Sequence, residues 1–174
     1  MRLAPILLAS LMPAAALAVG SGGSEPAPTE TTETCAEGLV FDIATETCLP
    51  PEESTNEDSA LLNDALRLNY EGRYAAALAV LAAVEPSSDS LTQQGYATRR
   101  AGDMEGGLAL YEAALTLDPA NILTRSYRGM AYVELGRMDA ARDELEMIWQ
   151  AGGQGSWAEE ALATAIRTGA GVDY

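Results

Sequence analysis

The sequence predicts an all-α fold in which about three helix-turn-helix repeats stack in a row, followed by a capping helix and preceded by a disordered polar arm. The first observation is a fixed period, because residues 88–155 divide into two rows of 34 residues, 88–121 and 122–155. The coinciding residues are Gly95 with Gly129, Ala97 with Ala131, Gly102 with Gly136, Met104 with Met138, and Glu112 with Glu146. The second observation is that apolar residues recur at helical spacing, with one break inside each row and one at its end.

The first 18 residues predict an export signal. Arg2 supplies a positive charge, residues 3–11 are mostly apolar, and residues 16–18 (Ala-Leu-Ala) have the small-x-small form that a signal peptidase accepts. The alternative is a membrane anchor, but the apolar run is short and rich in alanine for a stable span. We therefore expect an exported bacterial protein that is soluble and located in the periplasm or secreted.

Residues 19–34 predict a flexible linker, because Gly, Ser, Pro, Thr and Glu dominate and little can be buried. From residue 19 to residue 60 the chain carries ten acidic residues and no basic one, and the formal net charge of the whole sequence is -16. Like charges keep such a segment extended and repel polyanions. We expect neither nucleic acid nor an anionic membrane as a partner.

Cys35 and Cys48 predict a small disulfide-closed hairpin over residues 35–50. They are the two cysteines of the chain, and the strand-like residues 39–41 (Leu-Val-Phe) lie between them. Closing a loop of this size is worth about 3 kcal/mol in the chain-entropy model. A metal site is disfavoured, because two Cys in a chain without His make a poor metal cage.

Residues 58–168 predict the helical domain, which starts with a degenerate repeat over residues 58–87. The spacing from Gly72 to Gly102 is 30 residues rather than 34, so the second helix of this repeat should be about one turn shorter. Residues 51–57 are expected to be a polar linker. Because no Cys lies in the helical domain, we expect reduction to unfold the hairpin and leave the helices nearly unchanged.

Each 34-residue row predicts a helix, a tight turn and a second helix. Gly95 and Gly129 fall in mid-helix, where the missing side chain lets the paired helix come close. Gly102 and Gly136 fall at helix ends and accept a positive φ there. Asp103 and Asp139 are expected as N-caps or first-turn acids of the second helices. The expected stops are Asp118-Pro119 and Gly152-Gly153, and the expected packing aromatic residues are Tyr111, Tyr132 and Trp149.

A last amphipathic helix follows the third repeat. Ser156 and Glu159 have the spacing of a capping box at its start. The apolar face comprises Trp157, Ala161, Leu162, Ala165 and Ile166. This helix should cover the end of the array, and because stacked arrays need such a cap to stay monomeric we expect a monomer. Residues 169–174 form a short tail.

The rows resemble tetratricopeptide repeats. The family pattern is a large apolar residue, Leu-Gly, Tyr, a turn Gly, Ala, an aromatic residue, Ala and a closing Pro. It is matched in the first row by Leu91, Gly95, Gly102, Tyr111, Ala114 and Pro119. In the second row it is matched by Gly129, Tyr132, Gly136, Ala141, Leu145 and Ile148, the last two as apolar stand-ins. Gly107 replaces the usual Ala, Arg125 replaces the usual aromatic residue, and the second row lacks the closing Pro.

The resemblance implies a non-catalytic adaptor that binds an extended peptide or a partner helix in a concave groove lined by the first helices. The family's groove positions fall on Leu62, Leu66, Asn69 and Tyr70, then on Asp89, Thr92, Tyr96, Arg99 and Arg100, and then on Leu123, Ser126, Met130, Val133 and Glu134.

Four arginines concentrate on two neighbouring first helices, and their guanidinium groups suit a carboxylate or the carbonyls of a bound peptide. The predicted partner-binding residues are Tyr70, Tyr96, Arg99, Arg100, Arg125, Arg128 and Met130. The alternative is that these arginines pair with neighbouring acids such as Asp89, Glu105 and Glu134 on a solvated surface, where such pairs contribute little.

A second hypothesis places function in the hairpin. Its string Cys-x-x-Gly-Leu-Val-Phe-Asp resembles the middle of peritrophin-type chitin-binding modules, although those carry six cysteines and this segment has two. The resemblance implies an envelope protein that binds chitin or peptidoglycan through the segment between Cys35 and Cys48. The simpler alternative is a structural clip.

An enzyme is disfavoured by the residue types available. The sequence has no His to serve as a base or ligand and no Lys to grip phosphate or form a Schiff base. Adjacent acids such as Glu159 and Glu160 point to different faces of a helix, which favours a solvated surface. We expect no cofactor and no metal.

Overall fold

The computed structural model describes residues 25–26, 35–36 and 38–171. The predicted export signal, most of the predicted linker and residues 172–174 lie outside this part of the chain. The strands are β1 (Val40–Asp42) and β2 (Thr47–Leu49), followed by a 3-10 turn (Pro51–Glu53). The helices are α1 (Asp58–Tyr70), α2 (Tyr74–Leu81), α3 (Ser88–Arg100), α4 (Met104–Leu117), α5 (Ile122–Glu134), α6 (Met138–Gln150) and α7 (Trp157–Thr168).

Helix boundaries follow the predicted caps and turns. The Asp103 carboxylate accepts the backbone N–H of Gly106 at 2.9 Å at the start of α4, which satisfies a free helix donor. Helix α2 has 8 residues and α4 has 14, which confirms the shortened first repeat. Gly102 and Gly136 adopt positive φ in the turns within repeats two and three. Within the described residues, no helix combines the length and apolar character needed to cross a bilayer.

The two mid-helix glycines accept different neighbours. A Cβ on Gly95 would lie 2.6 Å from a ring carbon of Tyr111, so this glycine lets the paired helix α4 come close, as predicted. A Cβ on Gly129 would instead lie 2.6 Å from the Leu162 methyl groups. The prediction that Gly129 serves its paired helix α6 is therefore wrong, because the capping helix α7 fills that space.

Two apolar clusters form the core. One spans α3 to α7 and has the fully buried side chains of Tyr127, Met130 and Leu162 at its centre. The other belongs to the first repeat and includes Leu61 and Val80. The prediction that α7 covers the end of the array is confirmed, since its apolar face is part of the first cluster. Trp149, expected to pack, is instead exposed.

The segment before α1 is an ordered part of the fold. Strands β1 and β2 pair antiparallel with Phe41 opposite Cys48, and a disulfide joins Cys48 to Cys35. The prediction of a polar linker at residues 51–57 does not describe this segment, because residues 51–53 form a 3-10 turn and residues 54–56 hydrogen-bond to the hairpin. The hairpin is thus held against the residues that lead into α1 by hydrogen bonds, and it is not joined to the first repeat by a flexible linker.

Candidate functional site

Most of the predicted groove residues are buried between helices. Tyr96 and Met130 belong to the core cluster of α3 to α7, and Met130 has no exposed surface. The other buried groove residues are Asn69, Thr92, Leu123, Ser126 and Val133. Because a buried side chain cannot contact a partner in this conformation, the expected placement of Tyr96 and Met130 in an open groove is wrong.

Arg99 is held inside the array. Its Nη1 donates to Glu134 on α5, and its guanidinium carbon lies 5.7 Å from the centre of the Tyr96 ring. The neighbouring Tyr111 is also buried. Burial raises the pKa of the Tyr111 phenol, and the positive charge of Arg99 offsets part of that rise. A charge fixed in this way joins α3 to α5 and is not presented to a ligand.

Arg125 and Arg128 share one buried carboxylate. Arg125 Nη1 donates to Glu144 Oε2 at 3.2 Å, and Arg128 Nε donates to Glu144 Oε1 at 2.8 Å. Arg125 also donates to the carbonyl of Pro119 through Nε at 3.1 Å and Nη2 at 2.6 Å. This network joins α5 to α6 and to the end of α4. Arg125 is buried, and Arg128 remains half-buried.

The remaining two predicted residues lie nearer the surface. Arg100 Nε donates to the Tyr74 hydroxyl at 3.2 Å, and its guanidinium carbon lies 5.8 Å from the centre of that ring. Tyr70 is exposed and donates to Glu25 at 3.2 Å, so a residue of the acidic arm lies against the end of α1. The structure therefore brings Arg99 against Tyr96 and Arg125 beside Arg128, but it does not place the seven predicted residues together on one open face.

An open groove lies elsewhere, between the second helix of repeat two and the first helix of repeat three. We call it the α4–α5 groove, and it has a volume of about 650 Å³. Its lining residues are Met104, Glu105, Leu108, Ala109, Glu112, Arg128, Tyr132, Leu135 and Arg137. Of the residues predicted to bind a partner, Arg128 is the one that lines it.

The α4–α5 groove has an apolar floor between two charged walls. Met104, Leu108 and Tyr132 are half-buried and pack against the core on their inner side. Leu135 is 41% exposed, which leaves apolar surface available to a ligand. Acidic Glu105 and Glu112 come from α4, and basic Arg128 and Arg137 come from α5 and the start of α6. Such a surface suits an amphipathic segment of a protein.

Sequence reasoning missed this groove because it considered the first helices alone. A signal was present, since Met104 and Leu108 are four residues apart, as are Arg128 and Tyr132. On a helix such residues lie on the same face, so each pair forms part of one wall. The sequence does not indicate which face of the second helix, α4, lies next to the following repeat.

A comparison with protein families decides what kind of array this is. The tetratricopeptide repeat family model matches residues 99–163, which run from the end of α3 through α4, α5 and α6 into α7. The matched residues are therefore tetratricopeptide repeats, and they make up most of the helical array. No curated protein matches the sequence. Tetratricopeptide repeats commonly mediate protein–protein interactions and are typically non-catalytic scaffolds.

The charged residues of the array either pair with one another inside it or lie open at its surface. In the described part of the chain, no group of three His, Cys, Asp or Glu residues is placed to hold a metal ion. Inside the array Arg99 pairs with Glu134, and Arg125 and Arg128 pair with Glu144. Around the α4–α5 groove, Glu105, Glu112 and Arg137 are exposed.

Proposed function

We propose that this tetratricopeptide repeat protein is an exported, non-catalytic scaffold that binds a segment of a partner protein in the α4–α5 groove. The observation that carries the proposal is an open apolar floor between two walls of opposite charge. The buried arginines strengthen it indirectly, because they join helices and so fix the groove walls in place. A wall that is already ordered loses little entropy when a ligand binds.

The wall charges define the partner segment. Glu105 and Glu112 lie two helical turns apart on α4, and Arg137 lies beyond the end of α5. A short amphipathic helix or extended peptide fits if it has apolar side chains toward Leu135 and basic side chains toward α4. An acidic side chain would then lie near Arg137. Charge pairs at the rim contribute mainly to orientation, and apolar contacts on the floor contribute mainly to affinity.

The proposal is tested with peptides selected from a phage-displayed random library on the purified oxidised protein. Binding of a selected peptide is measured by fluorescence polarisation to the wild type, to Leu135→Asp and to Leu117→Asp. Leu117 is a matched control because it is 57% exposed, also ends a helix, and does not line the groove. Leu135→Asp loses an apolar contact and would bury a carboxylate under the bound peptide, so it should weaken binding at least about tenfold. Leu117→Asp should leave the affinity unchanged.

The opposite pattern would contradict the groove assignment. Equal affinity of Leu135→Asp and the wild type, with sensitivity instead to Tyr70→Ala, would place binding on the first-helix face that the family resemblance implies. A library that yields no binding peptide, combined with retention of the protein on chitin or peptidoglycan, would favour the glycan-binding alternative of the hairpin.

Export is the second half of the proposal. The predicted signal at residues 1–18 and the Cys35–Cys48 disulfide support an oxidising compartment, since such bonds persist there. Expression in a bacterium followed by fractionation should place the protein in the periplasm or the medium. Amino-terminal sequencing should show a mature chain that starts after Ala18, whereas an intact Met1 in the cytoplasm would contradict export.

A further inference from the structure

The disulfide-closed hairpin packs against the first repeat through Val40. Val40 of β1 is buried and belongs to the same apolar cluster as Leu61 of α1 and Val80 and Val84 from the α2 region. Pro51, just after β2, is also buried. A repeat array leaves an uncovered apolar face at each end unless a different element covers it. Helix α7 covers the C-terminal end, and Val40 brings the hairpin into the corresponding place at the N-terminal end.

Asp42 fixes the hairpin to the residues that lead into α1. Its buried carboxylate accepts the backbone N–H of Thr55 at 2.5 Å and the Thr55 hydroxyl at 2.8 Å. It also accepts the backbone N–H and the hydroxyl of Thr45, each at 2.8 Å, and the hydroxyl of Ser54 at 3.2 Å. These bonds, with the Thr55 N–H as the largest contributor, hold the pKa of Asp42 well below its usual range.

Asn56 makes a second attachment two residues before α1. Its Nδ2 donates to the Phe41 carbonyl at 2.7 Å, and its Oδ1 accepts the backbone N–H of Ile43 at 3.0 Å. Both bonds engage the backbone of the hairpin and do not depend on a particular side chain there. The orientation of β1 relative to α1 is therefore fixed from both sides of Asp42.

The hairpin itself is too small to be stable without its cross-link. Each strand has three residues, and an isolated two-stranded hairpin is marginal even when longer. The disulfide connects Cys35, which is buried, to Cys48 in the middle of β2 and directly opposite Phe41. Oxidation therefore holds together the element that presents Val40 and Asp42.

We propose that the hairpin is a redox-dependent N-terminal cap, attached when Cys35 and Cys48 are joined and released when they are reduced. The first repeat then reaches its full stability only in the oxidised chain. This reverses the expectation that reduction leaves the helices unchanged, because Val40 and Asp42 couple the hairpin to α1 and α2. The cap restricts a completely folded array to an oxidising compartment.

The reduction step involves a dithiol such as dithiothreitol. One thiolate attacks a sulfur of the Cys35–Cys48 bond and forms a mixed disulfide, and the second thiolate displaces the protein sulfur as the reagent closes into a cyclic disulfide. Two electrons pass from the dithiol to the protein disulfide. The two cysteine sulfurs end as thiols with the two protons that the dithiol released.

Hydrogen-deuterium exchange, followed by mass spectrometry on the full chain, tests the cap with and without dithiothreitol. Loss of the docked hairpin should accelerate amide exchange in α1 and α2 at least about tenfold, as expected from the loss of one buried aliphatic contact. Exchange in α5, α6 and α7 should change by less than about twofold, because their core cluster excludes the hairpin.

Two variants separate docking from the cross-link. Val40→Ala in the oxidised chain should accelerate exchange in α1 and α2 while the disulfide stays closed. Ile43→Ala is the matched control, since Ile43 is 60% exposed in the same hairpin and should change nothing. Acceleration confined to residues 38–50, or equal acceleration in all helices on reduction, would overturn the proposal.

Discussion

Repeats two and three share one helix-turn-helix plan but fill equivalent positions with different chemistry. Leu91 and Leu110 of repeat two correspond, 34 residues later, to Arg125 and Glu144. The two leucines are half-buried, whereas Arg125 and Glu144 are buried and form an ion pair at 3.2 Å. Equivalent positions of the plan therefore accept either two apolar residues or an ion pair.

The same contrast distinguishes the α4–α5 groove from the equivalent junction one repeat earlier, between α2 and α3. The corresponding residues are Gln94 for Arg128, Thr98 for Tyr132, Ala101 for Leu135 and Asp103 for Arg137. The earlier junction thus has smaller side chains and an acid in place of the arginine, and Gln94 is used to donate to the Leu81 carbonyl. The proposed binding surface therefore depends on these side chains, since the two junctions share the repeat backbone.

The largest effect on stability is expected when the carboxylate of this ion pair is removed and the arginine stays. Glu144→Leu leaves Arg125 and Arg128 without their shared carboxylate and should lower the free energy of unfolding by about 3–5 kcal/mol. The double variant Arg125→Leu with Glu144→Leu places leucines at the positions of Leu91 and Leu110 and should recover part of that loss, because the remaining Arg128 is half-buried and can reach water. Urea denaturation followed by circular dichroism measures both, and a double variant as unstable as Glu144→Leu would show that the repeats are not interchangeable here.

The glycine pair should show a smaller, graded effect. Gly95→Ala places a Cβ against the Tyr111 ring and the Gly107 carbonyl, both of which are fixed, and should cost about 2–3 kcal/mol. Gly129→Ala meets the methyl ends of Leu162, which can rotate, and the higher helix propensity of Ala offsets part of the cost. We expect about 1 kcal/mol there. Thermal unfolding compares the two variants, and equal losses would contradict the assigned neighbours.

Conversion of the groove to the sequence of the earlier junction should affect binding more than stability. Tyr132→Thr with Leu135→Ala removes apolar floor and should weaken a selected peptide about 10- to 30-fold. The free energy of unfolding should fall only modestly, because both residues retain exposed surface. Fluorescence polarisation and urea denaturation on the same samples check this, and an unchanged affinity would exclude these two residues from the site.

The smallest effect concerns alkaline pH. Tyr111 of repeat two corresponds to Leu145 of repeat three, and burial raises the pKa of the Tyr111 phenol above its ordinary 10.0 despite the Arg99 charge. The unfolded chain then releases this proton at a lower pH than the folded chain does. The stability that Tyr111 contributes is complete below about pH 10 and declines as pH rises above it. Tyr111→Phe should flatten this decline between pH 9 and 11 in urea titrations, whereas an unchanged slope would assign it to other groups.

Much of the fold could be predicted because local signals agreed with one another. The 34-residue period, the positive-φ glycines Gly102 and Gly136 and the cap at Asp103 each define a boundary from short-range chemistry. The shortened α2 followed from counting residues between two turns. Local signals do not show which element packs against each face of a helix. Gly129 was therefore assigned to α6, although Leu162 of α7 occupies the space beside it.

The site was harder to predict for a physical reason. A cluster of arginines in a sequence does not reveal whether each guanidinium faces water or a carboxylate across a helix contact. Glu134 is 35 residues from Arg99, and Glu144 is 19 residues from Arg125, so the pairing depends on tertiary packing. The alternative that these arginines pair with neighbouring acids holds for Arg99 and Glu134, but the Arg99 guanidinium is buried rather than on a solvated surface. Those arginines join helices of the array to one another, whereas the open groove lies between α4 and α5.

The most direct test of the central claim is site-specific photocrosslinking in the exporting cell. A photoreactive phenylalanine is introduced at Leu135, in the α4–α5 groove, and in a separate variant at Ala101, the equivalent position of the earlier junction. Our account predicts a light-dependent adduct with a protein partner from position 135 that is absent at position 101 and is lost when Arg137→Glu is added. Equal adducts from both positions, or adducts from neither, would contradict a binding site in this groove.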